Sequence, residues 1–261
     1  MNEKNEIVKK SKSWIWIVVV VVVLVIIAAV VYSIKPQPSK NDEPPLLIKN
    51  LPIKLAPYDP STGMAGDIKF IKDEVQFDAL YMDYAFEIPA SPDYPAKKNP
   101  QPTFVAPLGT KVRSMVDGKV VAIGKLYSND YSIAVSDGKG QYRYETEHVI
   151  NPRVKVGDTV KAGDIIAEVS DLSGGAANLG LGIVEIGILK GGQSPTHICP
   201  YLYLDPTVKD KITNDLKTLY SDWNSYKGKT IYDLNDYQTI GCLSEENISD
   251  NNSSATGNPA N

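Results

Sequence analysis

The chain has 261 residues, is 43% hydrophobic and 22% charged, and carries a formal net charge of −4. Its acidic residues are scattered and no cluster of Lys and Arg interleaved with aromatics occurs, which argues against nucleic acid as a partner.

Residues 1–13 form a short tail holding Lys4, Lys9, Lys10 and Lys12, followed by an unbroken, uncharged apolar run from Trp14 to Ile34. At about 1.5 Å rise per residue, this run spans the roughly 30 Å hydrocarbon core of a bilayer as a helix. A buried helix of a soluble domain needs a polar face, and this one has none. The run is longer than the roughly 7–15-residue core of a cleaved signal peptide, and no Ala-x-Ala-like site follows at Tyr32-Ser33-Ile34. The sequence therefore predicts an uncleaved signal anchor at 14–34. Only Lys35 and Lys40 follow it closely, so the tail is expected in the cytoplasm and everything beyond outside it, as a single-pass membrane protein.

Residues 35–60 are a Pro-rich linker, with prolines at 36, 38, 44, 45, 52, 57 and 60, a composition that favours an extended, fairly stiff tether. Leu46, Leu47, Ile48, Leu51, Ile53 and Leu55 are too apolar for a free linker, so its second half is expected to pack on the following domain as an edge segment. Residues 61–204 read as consecutive short strands. Phe104 to Val112, Asp117 to Gly124, Val154 to Val169 and Leu181 to Ile186 are alternating or β-branched runs closed by Gly, Gly-Asp or Asp-Gly turns. The Gly157-Asp158 and Gly163-Asp164 turns need the positive φ that glycine permits.

Residues 205–243 form a C-terminal helix and a return segment. Asp205-Pro206 is a helix start, Ile212, Leu216, Leu219, Tyr220 and Trp223 share one face, and Gly228 is the stop. From Ser244 to Asn261 the composition has little to bury, and the tail is expected to be disordered. It holds Asn-x-Ser sequons at Asn247, Asn251 and Asn252. The expected fold class is mainly β, a sandwich or barrel-like domain between an N-terminal transmembrane helix and a C-terminal amphipathic helix. Cys199 and Cys242 are the only cysteines. On the outer side of a membrane they are free to bridge, or to remain two thiols.

Several ordered landmarks carry a resemblance. Ala-Pro-Leu-Gly-Thr-Lys-Val at 106–112 is followed by a strand with His148, then by Val-Lys-Val-Gly-Asp at 154–158. Val-Glu-Ile at 184–186 and Cys-Pro-Tyr-Leu at 199–202 close the series. In this order they resemble the lysostaphin/LytM-type zinc metallopeptidases, murein endopeptidases that cut peptide cross-links in peptidoglycan and are built on a duplicated hybrid motif. The resemblance covers roughly Tyr81 to Leu204. It implies zinc on three protein ligands with an open position for water. The family's His-x-x-x-Asp strand aligns with Asp83 to Glu87, and its His-x-His pair falls on Leu181 and Ile183, neither of which can ligate a metal. His148 is the one counterpart of a family site residue, vestigial here, and it also reads simply as a hydrogen-bonded histidine sharing a strand face with Tyr144 and Thr146.

The chain has only two histidines, and His197 reads as a loop residue beyond the last core strand. A family-type site is therefore not expected: no catalytic residue, no metal and no cofactor, with zinc entering only if the domain is active after all. Asp83, Glu87, His148 and Glu185 are the candidates for a binding cleft, and the carboxylates among them could hold a hard cation such as Ca²⁺ or Mg²⁺ or be merely solvated. Glu145 and Glu147 alternate onto the opposite strand face from His148. The Pro-rich insertion 90–102 is expected beside the groove, and tyrosines such as Tyr81, Tyr84, Tyr94, Tyr142 and Tyr144 are expected in the core, with a groove lining as the alternative.

The sequence thus predicts a membrane-anchored extracytoplasmic pseudoenzyme of metallopeptidase type. Its expected role is envelope binding, scaffolding or regulation of wall hydrolases, with peptidoglycan or an envelope protein as partner. The alternative is an active zinc endopeptidase. A remoter one is a biotinyl/lipoyl-like carrier module, which the Val-Gly-Asp-Thr-Val-Lys-Ala-Gly-Asp run resembles but which lacks a Met-Lys hairpin. A Ser or Cys hydrolase has no Gly-x-Ser-x-Gly to stand on.

Overall fold

The computed structural model describes residues 43–92, 95–171 and 177–249. The expected cytoplasmic tail, the transmembrane helix at 14–34, the first part of the linker, Tyr94 and the sequons at Asn251 and Asn252 lie outside these residues. No described helix is long and apolar enough to cross a membrane.

Two short ribbons open the domain: β1 (Met64–Ala65) with β2 (Ile68–Lys69), and, after β3 (Tyr81–Met82), β4 (Glu87–Ile88) with β5 (Lys97–Lys98). Then come β6 (Thr103–Pro107), β7 (Lys111–Arg113), β8 (Gly118–Lys125), β9 (Tyr131–Ser136) and β10 (Tyr142–Ile150). They are followed by β11 (Thr159–Val160), β12 (Ile165–Val169), β13 (Leu181–Lys190), β14 (Thr196–Ile198), α1 (Lys209–Lys227) and β15 (Ile248–Ser249). Among the described residues the main sheet runs β11-β8-β9-β10-β13-β14-β15, with β6 also on β13, β3 on β6, and β12 joining β10 to β7. The described residues are mainly β with one long helix, as their composition and turn spacing predict.

The strand β13 is the centre of the sheet because it alternates two environments. Val184, Ile186 and Ile188 are fully buried, whereas Ile183 and Glu185 on the opposite face are only partly covered. The tyrosines Tyr81, Tyr84, Tyr142 and Tyr144 are all buried, which places them in the core.

The linker's second half packs as expected. Ile48, Leu51, Ile53 and Leu55 are buried, Leu47 is exposed, and Ile48 bridges in parallel to Leu204. Helix α1 buries the predicted face of Ile212, Leu216, Leu219, Tyr220 and Trp223, each contributing roughly 2 kcal/mol of gross hydrophobic free energy. Trp223 stacks edge-on against Phe70, and its Nε1 donates to the Asp78 carbonyl. The helix stops at Gly228, whose φ of 69° lets its N–H close on the Asn224 carbonyl. Its regular part begins later than the sequence implies. Asp205 accepts from the Thr207 N–H in a turn that precedes the helix, and the first helical residue is Lys209.

Three further differences concern backbone that composition does not reveal. The strand begun by Tyr81 ends at Met82 and Ala85 adopts φ 64°, so Asp83 and Glu87 do not share one strand face. The tail is ordered past Ser244, since Ile248 and Ser249 add as a strand to His197 and Thr196. His197 is accordingly a buried strand residue rather than a loop residue. Cys199 and Cys242 are disulfide-bonded with Cα atoms 6.2 Å apart, which ties the return segment to the end of β14.

Candidate functional site

The register of β13 assembles the site. Glu185 lies opposite Thr103 on β6 and opposite Glu147 on β10, while Gly187, two residues on, lies opposite Glu145. Strand alternation therefore puts Glu185, Glu147, Glu145 and Thr103 on one face. Beyond Thr146 the pairing of β10 with β9 shifts register, and His148 takes φ 56°. This bulge swings His148 out of strict alternation and sets it beside Glu147 rather than across the sheet from it. One ligand atom from each of Glu147, His148 and Glu185 lies within 4.8 Å of the others.

His148 is buried and oriented from behind. Its Nδ1 lies 2.9 Å from Asp130 Oδ2, which also accepts from Ser170 Oγ at 2.7 Å. A carboxylate only accepts, so Nδ1 carries the proton. Nε2 is thereby turned toward Glu185 Oε2 at 3.9 Å. Burial raises the Asp130 carboxyl, but hydrogen bonds from Ser128, Ser170 and His148 together outweigh it and hold the group below its ordinary value. Ser170 is itself fixed by β13: a Cβ on Gly182 would stand 1.7 Å from the Ser170 carbonyl oxygen, so only glycine admits this approach.

In front of the imidazole, the carboxylates oppose one another. Burial first, then the charges of Glu145, Glu185 and Asp130, push Glu147 up to about 8. Burial also raises Glu185, against the opposing influence of His148, Thr103 and Lys97. Thr103 Oγ1 is 3.3 Å from Glu185 Oε1, and Ser132 Oγ donates to Glu145 at 2.5 Å.

Of the four cleft candidates read from the sequence, the structure brings His148 and Glu185 together. Asp83 is elsewhere: it is buried under α1, where Tyr220 and Tyr237 donate to its two carboxylate oxygens at 2.5 and 2.8 Å. Burial pushes its carboxyl up to about 7, against those hydrogen bonds. Glu87 is exposed on the β4–β5 ribbon opposite Lys98. The segment that enters the site is instead Asn99 to Thr103, the end of the Pro-rich insertion. Asn99 and Thr103, four apart, approach each other through Asn99 Nδ2 and Thr103 Oγ1 at 3.5 Å. Their continuity with the Ala-Pro-Leu-Gly-Thr strand was the sequence signal for this placement. Glu147 had no such signal, because strict alternation assigns it to the other face.

The zinc implied by the resemblance finds no fit among the family positions. Leu181 is buried, Ile183 faces Val105 across β6, and neither offers a donor atom. His197, the other imidazole, lies on β14 between β13 and β15.

Residues 102–191 match the model of peptidase family M23, the family of the resemblance read from the sequence. No curated protein matches the chain. Among solved structures the chain is similar to LytU, at 27% identity over 44% of this chain and 75% of that one, with a TM-score of 0.35. It is also similar to the catalytic domain of the prophage-encoded M23 protein EnpA from Enterococcus faecalis, at 23% identity over 48% and 93% of the two chains, with a TM-score of 0.35. A third is the antimicrobial peptidase lysostaphin from Staphylococcus simulans, at 23% identity over 42% of each chain, also with a TM-score of 0.35. The chain thus spans less than half of that lysostaphin.

Proposed function

We propose that this chain is a membrane-anchored, extracytoplasmic protein whose M23-type domain binds at the cell envelope without cutting, with peptidoglycan or a wall hydrolase as its partner. The observation that carries the reading is the pair Leu181 and Ile183, apolar side chains where the resemblance places two imidazoles, beside a single site histidine, His148. The match of residues 102–191 to peptidase family M23 supports the envelope assignment. The apolar run from Trp14 to Ile34 supports the anchor.

An active zinc endopeptidase is disfavoured because hydrolysis needs the metal, its water and a base held together, and two of the required imidazoles are hydrocarbon. The test incubates the full chain in mild detergent with cross-linked peptidoglycan and supplied zinc. We expect co-sedimentation with the sacculus and no release of soluble fragments. Released cross-link peptides would overturn the non-catalytic reading, and absence of co-sedimentation would redirect the search to a protein partner.

A further inference from the structure

We propose that Glu147, His148 and Glu185 form a site for one divalent transition-metal ion, with a donor set different from the one the family resemblance implies. It uses neither position 181 nor position 183, and it goes beyond the envelope reading without depending on it.

Three observations converge. The first is the triad itself, whose ligand atoms lie within 4.8 Å of one another. A tetrahedral ion with bonds of about 2.0–2.1 Å needs its ligands about 3.4 Å apart. On binding, the two flexible glutamate side chains would close that gap. The second is the arrangement of charge. Glu147 and Glu185 are direct cross-strand partners, two carboxyl groups facing one space that a proton or a cation can share. Behind them Asp130 holds Nδ1 of His148 and presents Nε2 to the same space, the carboxylate–histidine arrangement that orients an imidazole toward a metal.

The third observation is Gln101, which belongs to neither group. It is 6% exposed, and its Nε2 has no hydrogen-bond partner among the described residues. That amide occupies the space left by Gly187, 3.1 Å from where a Cβ there would stand, and Gly187 itself follows Glu185 by two residues and lies opposite Glu145. A buried amide without a partner is costly; its N–H cannot ligate a cation, and it calls instead for an acceptor such as a water oxygen held on the ion. An imidazole nitrogen with two carboxylates selects Zn²⁺, Mn²⁺ or Co²⁺ over Ca²⁺ and Mg²⁺, which prefer all-oxygen shells.

The test uses the full chain in mild detergent, stripped with chelator and titrated with Co²⁺ as an optical probe and with Zn²⁺ for elemental stoichiometry. We expect one ion per chain, and a rise in melting temperature on loading. Glu147→Gln and Glu185→Gln are each expected to weaken binding by at least roughly tenfold, with Glu87→Gln unchanged. Melting in chelator reports whether each variant folds, and the wild-type stoichiometry decides the matter even if one does not. A wild-type chain that takes up neither ion, or uptake that both site variants leave unaltered, overturns the proposal. The readout involves no peptidoglycan, so its failure is separate from failure of the envelope reading.

Discussion

Replacing Asp83 by Asn removes a carboxyl that the fold keeps away from water beneath Tyr220 and Tyr237. Its folded value of about 7 stands against an ordinary 3.8, and at about 1.4 kcal/mol per unit the difference corresponds to about 4 kcal/mol. The sign follows from the direction. The folded state holds the proton more tightly than the unfolded state, so the stabilisation is complete below 3.8 and is lost as pH rises from there through 7. Over that interval the wild-type chain is expected to lose stability that Asp83→Asn retains. Denaturant titrations read by the emission of buried Trp223, repeated from about pH 4 to pH 8, give the difference between the two chains; titrations common to both, Glu147 included, cancel. The expected difference grows by about 4 kcal/mol in favour of the variant across the window. A difference that stays flat with pH would refute the assignment of a raised carboxyl at this position.

Gly182→Ala drives a Cβ into the Ser170 carbonyl oxygen. It is expected to cost about 3 kcal/mol or more, read as a lowered denaturation midpoint. Reducing the Cys199–Cys242 bridge, which closes a separation of 43 residues, is expected to cost about 4 kcal/mol on the loop-entropy relation; melting with and without reductant measures it. Trp223→Ala removes the largest side chain buried by α1 together with its bond to the Asp78 carbonyl. It is expected to cost about 3–5 kcal/mol, and a loss below 1 kcal/mol would show that α1 is not part of the cooperative unit.

What the sequence made legible follows local rules. The α1 face emerged whole from the 3.6-residue period, and the run Leu181 to Ile186 emerged from alternation, because both patterns are set by neighbours in the chain. The site was half legible for the same reason. Glu147 and Glu185 face each other across recognisable strands, but His148 joins them through a bulge in which it takes positive φ, a conformation no residue type announces. Asp83 and Glu87 were separated by Ala85 at positive φ, which a small side chain tolerates without signalling it. Ile248–Ser249 depends on pairing with β14, a partner some fifty residues earlier, and composition around it points the other way.

The pairing of both ends of the domain with distant partners sets the order in which it can be completed. Ile48 waits for Leu204, Tyr84 waits for Cys242, and His197 waits for Ile248. A chain delivered N-terminus first therefore exposes the edge at Ile48 and the floor beneath α1 until nearly all of residues 43–249 have emerged. Closure is then a late event, in which helix, bridge and last strand arrive together, and a chaperone would meet this protein with most of its sheet built and its lower layer still open.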